Sequence, residues 1–293
     1  MLVTVGVPIF NEERTLVSSL DSITEAISEM NKPYELILCF NGTTDNGVKV
    51  AKEYSILNGC DLEIITSEKG KPSAVAEIFK NSKGDFFIFT DADARVDKFA
   101  FRKLIESYAD KTMAVSGRPV PAYENSFIYK VINARMINGD AEVSYDYSMK
   151  TFLHGRLYSV KREILEHISE KFSNSIGDDT FITHFIYLNY GKDTISINKH
   201  ANVSYHPVTS IGSWWKKWTR IWSDLDNLYE LEPEFKSLKN EMTTRIDWSK
   251  VTKNELPYFV LERLLNISGK QIYNLSKNIV KYDWKRLNDT KDR

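Results

Sequence analysis

Two carboxylates one residue apart, Asp91 and Asp93, follow the apolar run Phe86-Phe87-Ile88-Phe89-Thr90. A short apolar run bounded by Gly84-Asp85 reads as a buried strand. In extended backbone alternate side chains share a face, so both acids can point at one spot beyond the strand's carboxyl end. Hard oxygen ligands at such an edge suit Mg²⁺ or Mn²⁺ carrying a phosphate, because these ions take a few carboxylates and complete their shells with substrate oxygens. Roughly one Asp-x-Asp is expected by chance in a chain of this composition, and Asp224-Leu225-Asp226, inside a helical pattern, is such a match. Lys71, after a glycine turn, is placed either to reach a phosphate or as an ordinary surface lysine.

The elements that must position these residues alternate. Val3–Phe10, Tyr34–Phe40 and Asp61–Thr66 read as strands, each followed by a turn and an amphipathic helical pattern, the first with Leu16, Leu20, Ile23, Ile27 and Met30. Strand–helix alternation of this kind predicts an α/β fold with a mostly parallel sheet covered by helices on both faces. Ligands of such sheets bind beyond the strands' carboxyl ends, where the turns at 8–12, 41–45 and 91–93 gather. Thr112–Gly117 and Asp193–Asn198 read as further strands and Asn125–Glu142 as a helix. After Pro207 long helical patterns rich in Trp, Lys and Leu take over, so the expected division is 1–207 and a helical extension over 208–293.

Bulk properties fit one large domain with an appendage among 293 residues of net charge −1, which argues against a general nucleic-acid binder. Charge is uneven: 23 basic residues face 28 acidic ones in 1–207, and 16 face 12 in 208–293. Two cysteines, Cys39 and Cys60, make no disulfide framework and suit a reducing, cytoplasmic setting. Met1-Leu2-Val3-Thr4-Val5 reads as a first strand rather than a leader, and no apolar run nears the ~18 residues that cross a bilayer.

Taken in order, these stations make the first two hundred residues resemble family-2 glycosyltransferases of the GT-A fold. Val5-Gly6-Val7-Pro8-Ile9-Phe10-Asn11-Glu12-Glu13 is similar to the opening "P-x-Y-N-E" turn, and Asn41-Gly42-Thr43-Thr44-Asp45 to the "D-D-G-S-T-D" turn. Lys69-Gly70-Lys71 with Ala74 resembles "G-K-x-x-A", Asp91-Ala92-Asp93 the metal motif, and Gly177-Asp178-Asp179 the "E-D" pair carrying the base.

The resemblance implies a metal-dependent, inverting transfer of a sugar from a nucleotide diphospho-sugar to a hydroxyl of a glycan or lipid-linked glycan. Asp93 would ligate the Mg²⁺ or Mn²⁺, and Asp91 would contact ribose or the metal's water shell. Asp179 would be the general base with Asp178 as its neighbour or an acceptor contact, although both acids also suit a helix N-terminus. Pro8, Phe10 and Glu12 would line the base and ribose pocket, or Asn11-Glu12 would simply start the first helix. Lys71 would meet a nucleotide phosphate or base edge. Where the family turn begins with an Asp that reads uracil, this chain has Phe40 and then Asn41, so either Asn41 reads the base or the nucleotide is not a uridine one.

His154-Gly155-Arg156 resembles the family's acceptor-side segment, with Gly155 allowing close approach of sugar and His154 either an acceptor contact or structural. His206 is a candidate third metal ligand or diphosphate contact. Ser213–Arg220 is similar, in degenerate form, to the "Q-x-x-R-W" motif: Trp218 would stack on the acceptor, and Lys217 or Arg220 would meet the diphosphate. The same tryptophans read equally as a packing face or as a membrane-interface helix. Residues 263–293 carry 8 basic and 3 acidic residues with Leu264, Ile272, Leu275 and Ile279 on one helical side, from which peripheral contact with an anionic membrane is expected. The rival readings are a catalytically silent sugar-nucleotide-binding scaffold and a nucleotidylyltransferase; the latter wants a glycine-rich loop that Pro8–Arg14 lacks.

Overall fold

The computed structural model describes residues 1–144, 152–171, 177–239 and 244–277. The chain forms two units, one from residues 1–119 and 150–205, the other from 120–149 and 206–293.

The first unit is built on β1 (Val3–Ile9), α1 (Leu16–Ser28), β2 (Tyr34–Asn41), α2 (Gly47–Asn58), β3 (Glu63–Ser67), α3 (Lys71–Asn81) and β4 (Phe86–Thr90). It continues through β5 (Ala94–Val96), α4 (Ala100–Glu106) and β6 (Ala114–Pro121), and after an excursion through β8 (Leu157–Lys161), α7 (Arg162–Ile168), α8 (Asp178–Asn189) and β9 (Ile195–Tyr205). The sheet runs β3-β2-β1-β4-β8-β6-β9-β5. The first four of these strands are parallel, with Val5 opposite Leu36 on one side and Ile88 on the other. Every residue of β1 is buried, which explains why it reads as a continuous apolar run: a strand covered on both faces has no solvent side to alternate with. The helical pattern beginning at Leu16 is equally direct, since Leu16, Leu20, Ile23 and Ile27 form one buried stripe on the sheet.

Past β4 the sheet turns antiparallel, and here the sequence reading falls short. β8 pairs antiparallel with both β4 and β6. The three-residue β5 pairs with the end of β9, Ala94 facing Tyr205. β9 runs to Tyr205 rather than stopping at Asn198, because its second half has β5 to bond with. β8 thus enters the sheet beside β4, and β5, which follows the first Asp-x-Asp, forms its far edge.

The second unit holds α5 (Phe127–Ile132), α6 (Ala134–Ile137), β7 (Glu142–Ser144), α9 (Ile211–Leu231), β10 (Thr244–Ile246) and α10 (Leu256–Ser276). The expected helix over 125–142 is thus two short helices and a 3-10 turn, Gly139–Ala141. It breaks at Asn133, whose buried side-chain amide donates to Val208 O at 2.8 Å and to Tyr129 O at 3.1 Å. Residues 120–149 therefore belong with the later helices: α5 packs on α10 and α9, and Arg135 of α6 pairs with Glu262 of α10 at 3.0 Å. The boundary after 205 lies two residues before the expected one; the assignment of 120–149 differs from it.

Within this unit the tryptophans pack. Trp214 is 1% exposed and Trp222 is buried. Trp222 lies 5.9 Å from Trp218, 6.4 Å from Trp214 and 5.6 Å from Tyr273 of α10, centroid to centroid. Gly269 is what lets α10 approach: a Cβ there would sit 2.9 Å from the Trp214 ring and 3.2 Å from that of Trp222.

Candidate active site

The carboxyl end of β4 is a meeting point for charged groups. Lys71 opens α3 directly after Gly70, whose φ of +136° suits a residue without a Cβ. The Lys71 ammonium donates to Asp91 Oδ1 at 2.7 Å and to the Gly155 carbonyl at 2.5 Å, and lies 3.7 Å from Asp178 Oδ2. Its burial would lower its pKa, but the carboxylates of Asp178, Asp91 and Asp179 win and hold the ammonium above its ordinary value. Lys71 is thus neither a surface lysine nor a free arm; it is the cation of a carboxylate cluster.

Asp178 and Asp179 are the first two residues of α8, whose N-cap is Gly177, and the two do different things. Asp178 is 3% exposed and accepts the Tyr158 hydroxyl of β8 at 2.7 Å. Burial pushes its carboxyl up to about 6 against the pull of Lys71. Asp179 accepts the Gly155 N–H at 2.8 Å on Oδ2 and the Thr180 N–H at 2.7 Å on Oδ1. A Cβ at 155 would lie 2.9 Å from Asp179 Oδ2, so a side chain there would push this carboxylate aside.

Segment 154–156 is fastened to the Asp-x-Asp by backbone. The Arg156 carbonyl accepts from Asp91 N at 3.3 Å and from Thr90 Oγ1 at 3.0 Å. His154 is turned into this turn: its N–H donates to Ser116 Oγ at 3.0 Å and its Nδ1 accepts from Arg156 N at 3.4 Å. The Arg156 guanidinium stacks 3.6 Å above the Tyr205 ring. Burial and the neighbouring Asp91 raise the Asp93 carboxyl, while Arg156 and Lys71 oppose them.

The turns at 8–15 and 41–46 form a second, adjoining layer. Pro8 is buried within β1, opposite Cys39, and Glu12 is buried at the start of α1, where its carboxylate accepts from Thr15 Oγ1 at 3.1 Å. Thr15 Oγ1 also reaches the Ala92 carbonyl between the two acids, at 3.4 Å. Asn41 is buried and already occupied: its amide donates to Ile9 O at 2.9 Å and its carbonyl accepts from Gly70 N at 3.3 Å. It ties the end of β1 to the Gly70 turn that leads into α3. Phe10 is half-buried with the Lys69 ammonium 5.0 Å above its ring.

Of the expected site residues, the structure brings together Lys71, Asp91, Gly155, Asp178 and Asp179, with Asp93, Glu12 and His154 around them. His206, Lys217, Trp218 and Arg220 lie in the second unit. Tyr158 and Arg156 also belong to this cluster, and their residue types alone do not mark them. Nothing in Leu157-Tyr158-Ser159 marks a site until β8 lies beside β4, whereas Arg156 sits inside the His154-Gly155-Arg156 segment that could have pointed to it.

The donor set fits a divalent hard cation: Asp91 and Asp93 offer carboxylate oxygens at a strand end, next to an ammonium suited to phosphate. Among the described residues no group of three or more His, Cys, Asp or Glu is gathered for a metal, so protein ligands alone would not enclose an ion there.

A mostly parallel sheet with an antiparallel return and an acid cluster beyond the carboxyl end of β4 is the architecture of the GT-A glycosyltransferases. A mannosyltransferase from Pyrobaculum calidifontis, solved with GDP-Man and Mn²⁺, superposes with a TM-score of 0.56 at 17% identity, covering 95% of this chain and 76% of that one. Glucosyl-3-phosphoglycerate synthase from Mycobacterium tuberculosis, solved with Mn²⁺, UDP and phosphoglyceric acid, gives 0.55 at 17% identity over 78% of each chain. The profile of Glycosyl transferase family 2 matches residues 4–169, and the chain belongs to that family. Undecaprenyl-phosphate 4-deoxy-4-formamido-L-arabinose transferases are among its relatives. That of Proteus mirabilis is 24% identical over 225 residues, covering 71% of this chain and 67% of the relative. That of Aeromonas hydrophila subsp. hydrophila is 29% identical over 108 residues, covering 36% of this chain but only 33% of the relative.

Proposed function

We propose that the protein transfers a sugar from a nucleotide diphospho-sugar to a lipid-linked acceptor, with a divalent metal held by Asp93 and Asp91. The observation that carries this reading is the convergence of Lys71, Asp91, Asp178 and Asp179 at one strand end. The Mn²⁺-bound structural neighbours support the metal, and the undecaprenyl-phosphate transferases support a lipid acceptor. When bound, the metal would neutralise charge developing on the departing diphosphate. Lys71, already at the Asp91 carboxylate, is placed to share that charge. Asp179 is the candidate base: Gly155 and Thr180 N–H groups fix its carboxylate in place, and an acceptor hydroxyl within hydrogen-bond reach would lose its proton to it. Tyr158 and Lys71 hold Asp178 behind it. The roles expected of His206, Lys217, Trp218 and Arg220 rest on the motif resemblance.

A second reading follows from Asp179 having both oxygens engaged by backbone donors. An ionised phosphate acceptor needs no proton removed, and Asp179 then anchors the 155 turn instead of acting as base. Asp179→Asn separates the two: it abolishes transfer to a hydroxyl while donor binding survives, whereas transfer within a few-fold of wild type means that no base is needed. Donor binding is read by thermal shift with UDP, GDP, CDP and dTDP, with and without Mn²⁺, since a ligand of the folded state raises the melting temperature. A metal-dependent rise that is lost in Asp93→Ala is expected. No rise with any nucleotide leaves the silent scaffold.

A further inference from the structure

The tryptophan-rich α9 is spent on packing, and the lipid-like surface lies on the next helix. α10 buries Phe259, Glu262, Gly269 and Tyr273 against its own unit. Its opposite side shows Val260, Leu261, Leu264, Ile267, Ile272 and Leu275 to solvent, the last 81% exposed. Val260, Leu261, Leu264 and Ile267 are joined by three- and four-residue steps, and Ile272 and Leu275 continue the same side past the exposed Ser268 and Gln271, along a helix about 32 Å long.

Two details say what this stripe meets. The only carboxylate of α10 is Glu262, which is buried and paired with Arg135, so the outer face carries no negative charge at all. The exposed charge on one flank of the stripe is Arg263, and Lys130 of α5 stands near Tyr258 on the other; Lys270, seven residues after Arg263, has its ammonium over the Trp222 and Tyr273 rings at 5.2 and 4.6 Å. Beside Tyr258 the apolar surface continues onto α5 through the exposed Phe127, whose ring lies 5.7 Å from that of Tyr258. An apolar stripe with cationic flanks is the pattern of a helix lying in the plane of a membrane, its aliphatic side among acyl chains and its cations among headgroups. No helix among the described residues is long and apolar enough to cross a bilayer, so the fitting geometry is in-plane.

We infer that the outer face of α10, extended by Phe127, docks the protein on an anionic lipid surface. The inference goes beyond the transfer reading and does not depend on it, so Asp179→Asn protein should bind vesicles as wild type does. The experiment is flotation of the full chain with phosphatidylglycerol–phosphatidylcholine vesicles and with phosphatidylcholine alone, at low and high salt. Wild type should float with the anionic vesicles at low salt and largely lose attachment at high salt. Leu264→Glu/Leu275→Glu, both at exposed positions and checked for a native circular-dichroism spectrum, should stay at the bottom. The inference is overturned if wild type stays at the bottom at low salt, or if the double variant floats equally well. A dimer by light scattering that becomes monomeric in the variant, without flotation, would instead assign the face to a second copy of the chain.

Discussion

Lys71 is the residue on which the site's electrostatics turn. It stands among Asp91, Asp178 and a carbonyl that all come from other parts of the chain, and it is the cation that lets Asp178 be buried beside Asp179. Removing it leaves a buried acid with, among the described residues, the Tyr158 hydroxyl for support. Lys71→Met should therefore lower stability by about 2 kcal/mol, the order of cost of leaving a buried charged group short of a partner. Asp178→Asn in the same chain should recover part of that loss, because the amide needs no counter-charge. Urea unfolding of the two single variants and the double variant gives the coupling. Strict additivity would show that the ammonium and Asp178 do not sense each other across 3.7 Å.

At the scale of elements, the contact between α9 and α10 runs through Gly269. An alanine in a helix is ordinarily favoured over glycine by about 1 kcal/mol. Here its methyl would meet the Trp214 ring at 2.9 Å, inside a cluster where Trp214, Trp218, Trp222 and Tyr273 already fill the space. Overpacking costs about 1–3 kcal/mol and outweighs the propensity gain, so Gly269→Ala should lower the urea midpoint and shift tryptophan emission. What the sequence could show of these elements follows the range of the forces that make them. β1, β2 and β4 are legible because each is a continuous apolar run, and α1 because its stripe repeats locally. The break at Asn133 is not, since its partner Val208 is 75 residues away. Likewise the carboxylates at 91, 93, 178 and 179 could be nominated from motifs, but not that Asn41 would tie Ile9 to Gly70. Nor could periodicity tell that Trp214 faces inward while Leu264 faces out, because both helices are amphipathic and only the packing chooses a side.

For the molecule as a whole, the second unit is assembled from two stretches of chain, 120–149 and 206–293, separated in sequence by the segment that holds β8 and β9. A chain ended at residue 205 keeps every strand of the eight-stranded sheet but leaves Tyr129, Val131 and Ile132 without α9 and α10. Such a protein should bind a hydrophobic dye strongly and aggregate at concentrations where the full chain stays dispersed; weak dye binding would mean that α5 buries its apolar side elsewhere. The same two-part construction sets a clock during synthesis. At about 5–20 residues per second, α5 leaves the ribosome on the order of ten seconds before α10 exists to receive it. During that interval its aliphatic and aromatic side chains are open to any chaperone, neighbouring nascent chain or bilayer within reach.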